Sequence, residues 1–286
     1  MNNIAPYLSL IKFSHTIFAM PFAIIGFFLA TNVFGYPFAW YKLVLVVLCM
    51  VFARSAAMAF NRYIDRDIDA QNPRTAMREI PAGVIKTTSA RWFVAGNILL
   101  FVATTYFINP LCFALSPVAL LVVLAYSYTK RFTALCHFVL GLGLSLAPVG
   151  AFVAVSEQFH LLPILYGLVV LLWVSGFDII YALQDEEFDR SRNLFSVPSA
   201  LGKKNALYLS SFLHLVCATV LVFAGYYAGF GVWYAVGTAS FIALLLYQHT
   251  LVKPDDLSRV NLAFFTTNGF ASLLFAAFVL ADLFLD

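Results

Sequence analysis

The chain has 286 residues, of which 62% are hydrophobic and only 11% are charged, and its formal net charge is +3 at pH 7. Soluble domains usually carry about 25% charged and about 45–50% apolar residues, so this composition excludes a soluble nucleotide-binding domain, a disordered chain and a disulfide scaffold. The small net charge and the lack of a long basic tract also exclude a nucleic-acid partner. Roughly 20 apolar residues cross a bilayer as a helix, so the length allows about nine crossings.

Nine apolar runs have close to the length of a membrane-spanning helix, and they lie at residues 13–35, 38–60, 92–109, 111–128, 134–155, 161–184, 206–229, 231–249 and 261–284. The sequence therefore predicts an all-α polytopic membrane protein with about nine transmembrane helices, forming a single integral-membrane domain over residues 1–286. The first run contains Pro21 and is followed by another span, which favours a membrane helix over a cleaved signal peptide.

The basic residues predict the orientation of these helices. Fourteen of the 17 basic residues lie in or beside the loops that follow the second, fourth, sixth and eighth runs. By the positive-inside rule, this face and the N-terminus are cytoplasmic, which in a bacterium means the inner face of the inner membrane. Ten of the 14 acidic residues lie on the same face, and topology alone does not explain them.

A first acidic cluster ends the second run, where Asn61, Asp65 and Asp69 follow one another at intervals of four residues. On a continuous helix this spacing places the three side chains on one face, whereas Asp67 lies on another. The sequence therefore predicts a polar face at the cytoplasmic end of this helix.

A second acidic cluster ends the sixth run, where Asp178, Tyr181, Asp185 and Asp189 share one helical face. Asp185 lies 120 residues after Asp65, and a loop with Pro and Gly follows each cluster. We interpret this pattern as a weak internal duplication of two four-helix halves, at about 13–128 and 134–249, plus a ninth helix around a central cavity. Membrane proteins often build their sites where such repeats meet.

Two pairs of carboxylates, Asp65 with Asp69 and Asp185 with Asp189, have a spacing at which like charges on a helix repel each other. Hard divalent cations bind oxygen ligands, and Mg²⁺ typically combines one or two carboxylates with substrate phosphates. The four aspartates are therefore predicted to be ligands of Mg²⁺ that holds a diphosphate. A solvated acidic helix end is the alternative for either pair alone, but its recurrence in both halves argues against it.

Cationic side chains near both clusters are candidates for a diphosphate clamp: Arg74, Arg78, Lys130, Arg131, Arg190 and Arg192. The positive-inside rule alone also explains each of them. Arg54 differs from these cations in its depth. It precedes Asn61 by two turns on the same helical face and therefore lies about 10 Å deeper in the membrane. A charge at that depth is costly and indicates a functional site, with a structural pair to Asp178 as the alternative.

The motifs resemble those of the UbiA superfamily of intramembrane aromatic prenyltransferases. Asn61, Asp65 and Asp69 match its N-x-x-x-D-x-x-x-D pattern, and residues 74–83 are similar to its R-T-x-x-R-x-[IL]-P-x-G loop. Residues 178–189 match D-x-x-Y-A-x-x-D-x-x-x-D, and residues 126–131 resemble Y-x-x-x-K-R. The similarity covers nearly the whole chain and is greatest to the 4-hydroxybenzoate polyprenyltransferases of quinone biosynthesis.

The resemblance implies transfer of a polyprenyl group from an allylic polyprenyl diphosphate to a ring carbon of a small aromatic acid, with Mg²⁺ as cofactor. It assigns catalysis to Asp65, Asp69, Asp185, Asp189 and Tyr181, the four aspartates also binding the metal. It assigns substrate binding to Asn61, Arg74, Arg78, Lys130, Arg131 and Asp178. We add Arg54 to the substrate-binding residues, because its guanidinium can donate two parallel hydrogen bonds to the carboxylate of the acceptor deep in the membrane.

Two positions depart from the family pattern. Arg62 follows the motif asparagine where many relatives have Asp, and the helical spacing predicts that it lies off the motif face. Phe195 stands where some relatives have a basic residue, and Arg192 is our candidate for the missing cation.

Other classes of membrane protein fit less well. A transporter would place its polar residues near the bilayer midplane, whereas here they crowd one face. A CDP-alcohol phosphotransferase would carry a D-G-x-x-A-R signature, which the sequence lacks. Within the family, a naphthoate prenyltransferase of a menaquinone pathway and a haem- or chlorophyll-prenylating enzyme stay open. The expected partners are the two substrates and membrane lipid, and no obligate protein partner is indicated.

Overall fold

The computed structural model describes residues 5–11 and 18–285, which fold almost entirely into helices. In chain order these are α1 (Ala5–Leu10), α2 (Met20–Phe28), α3 (Trp40–Ile64), α4 (Arg66–Asp69), α5 (Thr87–Ile108), α6 (Pro110–Thr129), α7 (Cys136–Ser156), α8 (Leu161–Ala182), α9 (Glu186–Ser191), α10 (Val197–Ala228), α11 (Val232–Thr250) and α12 (Asn268–Leu285). A π-helical turn, Leu29–Val33, continues α2; a 3₁₀ turn, Leu183–Asp185, joins α8 to α9; and a second π-helical segment, Leu262–Thr267, leads into α12.

Each of the nine predicted apolar runs overlaps a helix, which confirms the all-α polytopic membrane fold. Within the described residues, seven helices are long and apolar enough to cross a membrane: Trp40–Ile64, Thr87–Ile108, Pro110–Thr129, Cys136–Ser156, Leu161–Ser191, Val197–Ala228 and Leu262–Leu285. The apolar helix Met20–Val33 is shorter, and residues 13–17 of the predicted first run lie outside the described residues. The count of nine crossings and the duplication of the two halves stay predictions.

The largest difference in a boundary occurs at α10, which begins at Val197 although the predicted run begins at residue 206. Ser196 and Ser199 form a capping box at its start, and Pro198 lies in the first turn. The backbone then leaves helical geometry at Gly202 (φ 76°, ψ 161°), a conformation that glycine adopts without strain. Apolarity detects the part of a helix inside the membrane, whereas these local signals extend α10 beyond it.

The helices pack mainly against their neighbours in the chain, with α3 on α5, α7 on α6 and α8, and α8 on α10. The bundle closes because α12 packs on both α11 and α2, and α2 also packs on α7. Trp173 of α8 is fully buried among Phe22, Phe177 and Phe241, and its Nε1 donates a hydrogen bond of 2.8 Å to Asn268 Oδ1. This aromatic core fixes α8, which carries the second acidic cluster at its end.

Asp282 of α12 caps the start of α11. It is only 5% exposed and accepts hydrogen bonds from the backbone N–H groups of Gly231 (3.0 Å) and Tyr234 (2.9 Å). A carboxylate at a helix N-terminus satisfies unpaired N–H groups and interacts favourably with the helix dipole. We expect Asp282→Ala to lower the free energy of unfolding by about 1–2 kcal/mol, measured by denaturation in detergent micelles. The exposed Asp255→Ala is the control, and equal stability of both variants would show that the cap contributes nothing.

The loop after α4 and the segment after α8 lie at the same end of the bundle, because Asn72 Nδ2 donates a hydrogen bond of 3.0 Å to Asp185 Oδ1. The positive-inside rule predicts that this end is cytoplasmic. In a cysteine-free background, we expect Met77→Cys and Ser191→Cys to react with an impermeant thiol reagent only from the cytoplasm, and Gln158→Cys only from outside. Labelling of positions 77 and 191 from opposite sides would contradict the shared site.

Candidate functional site

The first acidic cluster lies where α3 breaks into the short helix α4. Asp65 has non-helical backbone angles (φ −88°, ψ 1°) at this break. Backbone hydrogen bonds nevertheless continue the four-residue spacing, from Asp65 N to Asn61 O (2.9 Å) and from Asp69 N to Asp65 O (2.7 Å). The three side chains therefore keep a common face and line one cavity of about 210 Å³, called here the polar cavity.

The second acidic cluster reaches the same cavity from α8 and α9. The helix tightens at Leu183–Asp185, and Asp178, Tyr181, Asp185 and Asp189 all line the polar cavity. The two clusters, 120 residues apart in the sequence, thus face each other. Asn72, which bonds Asp185, forms part of the wall between them.

The loop between α4 and α5 carries Arg74 and Arg78 into the cavity. Its Ile80 and Ile85 are buried against Leu10 and Ile11, which anchors the loop to the N-terminal segment. Gly83 has a positive φ of 73°, which lets the chain turn between these two anchors. Asn72 Oδ1 accepts the backbone N–H of Arg74 at 2.9 Å, so the start of the loop is fixed as well.

Asp65 is buried and faces two cations. Lys130 Nζ lies 2.8 Å from Asp65 Oδ2, and Arg131 Nη2 lies 2.9 Å from Asp65 Oδ1. Arg131 also donates to the backbone carbonyls of Ser127 (2.8 Å) and Ile64 (3.1 Å), which fixes its guanidinium at the ends of α6 and α3. Asn61 Nδ2 donates to Asp65 Oδ2 at 3.1 Å, so the carboxylate is held from three sides.

Arg78 and Arg74 neutralise two of the other three paired carboxylates, Asp69 and Asp185. Arg78 Nη1 lies 2.6 Å from Asp69 Oδ1, and Arg74 pairs with Asp185, its Nε donating at 2.9 Å. Arg74 also donates from Nη1 to the Tyr181 hydroxyl (3.1 Å) and lies 5.3 Å above the Tyr181 ring. Burial lowers the pKa of Arg74, but the hydrogen bond and the charge of Asp185 outweigh it, so the pKa is raised overall. These cations are within reach of both a carboxylate and a diphosphate in the cavity.

The carboxylates of the polar cavity fit Mg²⁺ as part of its ligand shell and not as a complete site. Asp65 Oδ1 and Asp69 Oδ2 are buried without a hydrogen bond of good geometry, although Arg131 lies within ion-pair distance of the former. Over residues 5–11 and 18–285, no three His, Cys, Asp or Glu side chains are arranged to hold a metal ion by themselves. Mg²⁺ commonly takes one or two carboxylates and completes its shell with water and substrate phosphates. The residues therefore fit a metal ion that is bound partly by these carboxylates and partly by the oxygens of a diphosphate.

Three of the six candidate cations do not line the polar cavity: Arg131, which contacts Asp65 from the ends of α6 and α3, and Arg190 and Arg192. Arg192 is exposed just beyond the end of α9, with its guanidinium 6.0 Å above the Phe188 ring. Arg190 forms an i,i+4 pair with Glu186 at 2.7 Å on α9 itself. The chain turns away after α9, so Phe195 and Ser196, and not Arg192, contribute to the cavity wall from this segment.

Arg62 and His137 are among the residues of the polar cavity that were not predicted. Arg62 was expected off the motif face, but it is 7% exposed and lines the cavity, because the wall surrounds more than one face of α3. The departure from the family pattern at this position was a signal for it. His137 of α7 also lines the cavity, with Nδ1 2.7 Å from Asp178 Oδ2, and no spacing in the sequence indicates this contact.

Arg54 lies in a second, largely apolar cavity of about 330 Å³ between α3, α5, α6 and α7, called here the apolar cavity. Its Nε is buried without a hydrogen bond, and within the described part of the chain Arg54 forms no salt bridge. Asp178 pairs with His137 instead, so the alternative of an Arg54–Asp178 pair is wrong. The two cavities share Tyr126 and Leu140 in their walls and therefore adjoin.

Known proteins resemble the chain over most of its length. The model of the UbiA prenyltransferase family matches residues 19–279. The 4-hydroxybenzoate octaprenyltransferase of Aeromonas salmonicida (strain A449) is 31% identical over 246 residues, which cover 86% of this chain and 84% of the relative. The enzyme of the same name from Paraburkholderia phymatum is 32% identical over 234 residues, covering 82% and 81% of the two chains.

Solved structures agree with the sequence comparison. A UbiA homolog from Aeropyrum pernix K1 has a TM-score of 0.85 and 33% identity, over 94% of this chain and 98% of that chain. A UbiA homolog from Archaeoglobus fulgidus, solved with GPP and Mg²⁺ bound, has the same fold, with a TM-score of 0.74 and 22% identity over 97% and 99% of the two chains. This chain is an integral multi-pass membrane protein that belongs to the UbiA prenyltransferase family.

Proposed function

We propose that the protein is a Mg²⁺-dependent aromatic polyprenyltransferase, which transfers a polyprenyl group from an allylic diphosphate to a ring carbon of 4-hydroxybenzoate. The observation that carries the proposal is the pair of facing carboxylate clusters with their cations, next to an apolar cavity that contains Arg54. The names of the relatives support the acceptor. The homolog with bound GPP and Mg²⁺ supports the donor and the metal.

The polar cavity would bind the diphosphate. Asp65, Asp69, Asp185 and Asp189 are the proposed metal ligands, and Mg²⁺ bound there would stabilise the diphosphate as it leaves the allylic carbon. The basic side chains around them would contact phosphate oxygens directly: Arg74, Arg78 and Lys130. Preorganised cations aimed at a leaving group reduce the barrier most when water is excluded.

Other residues around the polar cavity would position these groups. Asn61 and Arg131 hold Asp65 through the contacts described above. Tyr181 supports Arg74 through its hydroxyl and ring, and Phe264 stacks on the Tyr181 ring with a distance of 4.1 Å between the two ring centroids. We therefore assign Tyr181 a role in orienting Arg74 toward the diphosphate.

The apolar cavity would bind the aromatic ring beside the allylic carbon. The acceptor's carboxylate would be an unpaired charge in a low-dielectric environment unless a cation met it, and Arg54 has the matching donor geometry. The apolar walls exclude water, which protects the allylic cation until a ring carbon next to the hydroxyl attacks it. The ring carbon would then lose its proton to the released diphosphate or to water, which restores aromaticity.

An assay with purified protein in liposomes tests the proposal. Labelled polyprenyl diphosphate and Mg²⁺ are supplied with 4-hydroxybenzoate, a carboxynaphthoate or a dihydroxynaphthoate, and the prenylated product is measured. We expect 4-hydroxybenzoate to be the best acceptor and a chelator to abolish the product. Because a carboxynaphthoate would also present its carboxylate to Arg54, preference for it would favour the naphthoate prenyltransferase alternative. Absence of product with every acceptor would overturn the proposal.

A further inference from the structure

We propose that Arg62 and Ser127 form a phosphate subsite on the α3 and α6 wall of the polar cavity, which binds oxygens of the diphosphate directly and not through Mg²⁺. The inference rests on the proposed function and deepens it, because it adds two donors that the mechanism above does not use. Both side chains are more than nine-tenths buried, and both line the polar cavity.

Arg62 is a buried cation without an anionic partner. It is 7% exposed, and its Nε has no hydrogen-bond partner. Over residues 5–11 and 18–285 it forms no salt bridge. Removing a guanidinium from water is costly unless an anion and hydrogen bonds compensate for the lost hydration. The position therefore indicates that Arg62 binds an anion.

The carboxylates of the polar cavity do not supply this anion. Four of the five that line the cavity have other partners: Asp65 with Lys130 and Arg131, Asp69 with Arg78, Asp178 with His137, and Asp185 with Arg74. The fifth, Asp189, lies on α9 in the cluster that faces α3, and it forms no ion pair with Arg62. The anion that compensates Arg62 is therefore expected to come from a ligand.

Ser127 supplies a second free donor to the same cavity. It is 1% exposed, and its Oγ is buried without a hydrogen-bond partner. Its neighbour Tyr126 lines both cavities, so Ser127 lies near their junction. Arg131 donates to the backbone carbonyls of Ser127 (2.8 Å) and Ile64 (3.1 Å), which ties the end of α6 to the end of α3. The wall that carries Arg62 and Ser127 is thus fixed before a ligand binds.

These two donors select phosphate oxygens and not the metal ion. A guanidinium repels Mg²⁺, so a metal ion in the cavity is expected at the aspartates and away from Arg62. Mg²⁺ would bind only some oxygens of a diphosphate, and the others need donors of their own. The planar fork of arginine matches a phosphate group, and a hydroxyl adds one more hydrogen bond. The diphosphate would then be held through the metal on one side and by Arg62 and Ser127 on the other.

Three variants separate phosphate binding from support of the fold. Arg62→Gln replaces the guanidinium by a neutral amide, Arg62→Lys keeps the charge without the fork of donors, and Ser127→Ala removes only a hydroxyl. Arg66→Gln is the matched control for the loss of a positive charge. Arg66 begins α4, four residues after Arg62, but it pairs with Asp67 and does not line the polar cavity.

The measured quantity is the affinity for a labelled, non-reactive prenyl thiodiphosphate in Mg²⁺, compared with the affinity for the corresponding prenyl alcohol, which has no phosphate. We expect Arg62→Gln to weaken binding of the thiodiphosphate about 10- to 100-fold, and Ser127→Ala about 2- to 10-fold. Arg62→Lys should lose less than Arg62→Gln, and Arg66→Gln should stay near the wild-type affinity. The affinity for the prenyl alcohol should change little in all four variants.

Thermal unfolding in detergent micelles provides a second readout, which a structural role of Arg62 would move in the opposite direction. Because the charge of Arg62 is uncompensated without a ligand, Arg62→Gln should not lower the Tm of the ligand-free protein. A ligand that binds only the folded protein raises the Tm. The rise that Mg²⁺ and inorganic pyrophosphate produce together should be smaller in Arg62→Gln and Ser127→Ala than in the wild-type protein.

An unchanged affinity for the thiodiphosphate in either Arg62→Gln or Ser127→Ala would overturn the inference, and Ser127→Ala decides if Arg62→Gln does not fold. Equal weakening of the thiodiphosphate and the prenyl alcohol would overturn it as well, because it would show that the two residues only support the cavity. Failure of the proposed function is recognised separately, since the wild-type protein itself would then not bind the thiodiphosphate in Mg²⁺, and the inference would fall with it. The identity of the aromatic acceptor does not affect the result, because the binding measurement contains no acceptor.

Discussion

Replacing Asp65 or Asp185 by alanine is expected to reduce the rate of prenyl transfer by about 10²–10³-fold or more, because each change removes a proposed metal ligand from one of the two facing clusters. Asp65→Ala also removes the carboxylate that pairs with Lys130 and Arg131, and Asp185→Ala removes the carboxylate that pairs with Arg74. The rate is measured at saturating Mg²⁺ and both substrates in liposomes that contain equal amounts of folded protein.

Asp67→Ala is the matched control for these variants. Asp67 lies on the short helix α4, two residues after Asp65, but its side chain is 77% exposed and pairs with the neighbouring Arg66 at 3.3 Å. We expect it to retain most of the activity. Asp65→Asn serves as a second control for stability, since Asp65 is 2% exposed and asparagine preserves its volume. Near wild-type rates for Asp65→Ala or Asp185→Ala would contradict the shared metal site.

Arg54→Leu is expected to raise the KM for the aromatic acid about 10- to 100-fold, because the proposed charge-assisted bidentate contact with the carboxylate would be lost from a low-dielectric cavity. The KM for the prenyl diphosphate should change little, since Arg54 lines the apolar cavity and not the polar one. Arg54→Lys should lose less, because it keeps the charge but not the fork of donors. Steady-state kinetics with each substrate varied in turn measure the two KM values.

Inhibition by phenol, which has the hydroxyl but no carboxylate, provides the control on the ligand side. Its Ki should be nearly the same in the wild-type protein and in Arg54→Leu. Equal increases in both KM values, or an equal loss of affinity for phenol, would show that Arg54 supports the cavity and does not recognise the carboxylate.

The helical spacing of the motifs predicted which acidic residues share a face, although the helices are not continuous there. α3 ends at Ile64, yet Asn61, Asp65 and Asp69 still line one cavity because backbone hydrogen bonds of four-residue spacing pass through the break. α8 ends at Ala182 and tightens into a 3₁₀ turn, and its cluster residues line the same cavity. The spacing of side chains on a helical face depends on local backbone geometry. The short non-helical step at Asp65 preserves this spacing. The depth of Arg54 followed from the rise per residue for the same reason.

Contacts between distant segments were not predictable from spacing. His137 meets Asp178 only because α7 packs on α8, and Arg62 enters the cavity wall because that wall surrounds α3 on several sides. The position of Arg192 was inferred from distance along the chain, but the end of α9 directs it to solvent. These three positions depend on tertiary packing, which a single sequence does not specify at the level of one side chain.

Both acidic clusters are proposed to hold one diphosphate through Mg²⁺. Equilibrium binding of a labelled, non-reactive prenyl thiodiphosphate to the protein in liposomes tests it most directly, in Mg²⁺ and in a chelator, for the wild-type protein, Asp65→Asn and Asp185→Asn. We predict one bound molecule per chain in Mg²⁺, and loss of this binding in the chelator and in either variant. Binding that is independent of Mg²⁺, or that survives unchanged when one cluster is altered, would contradict the account.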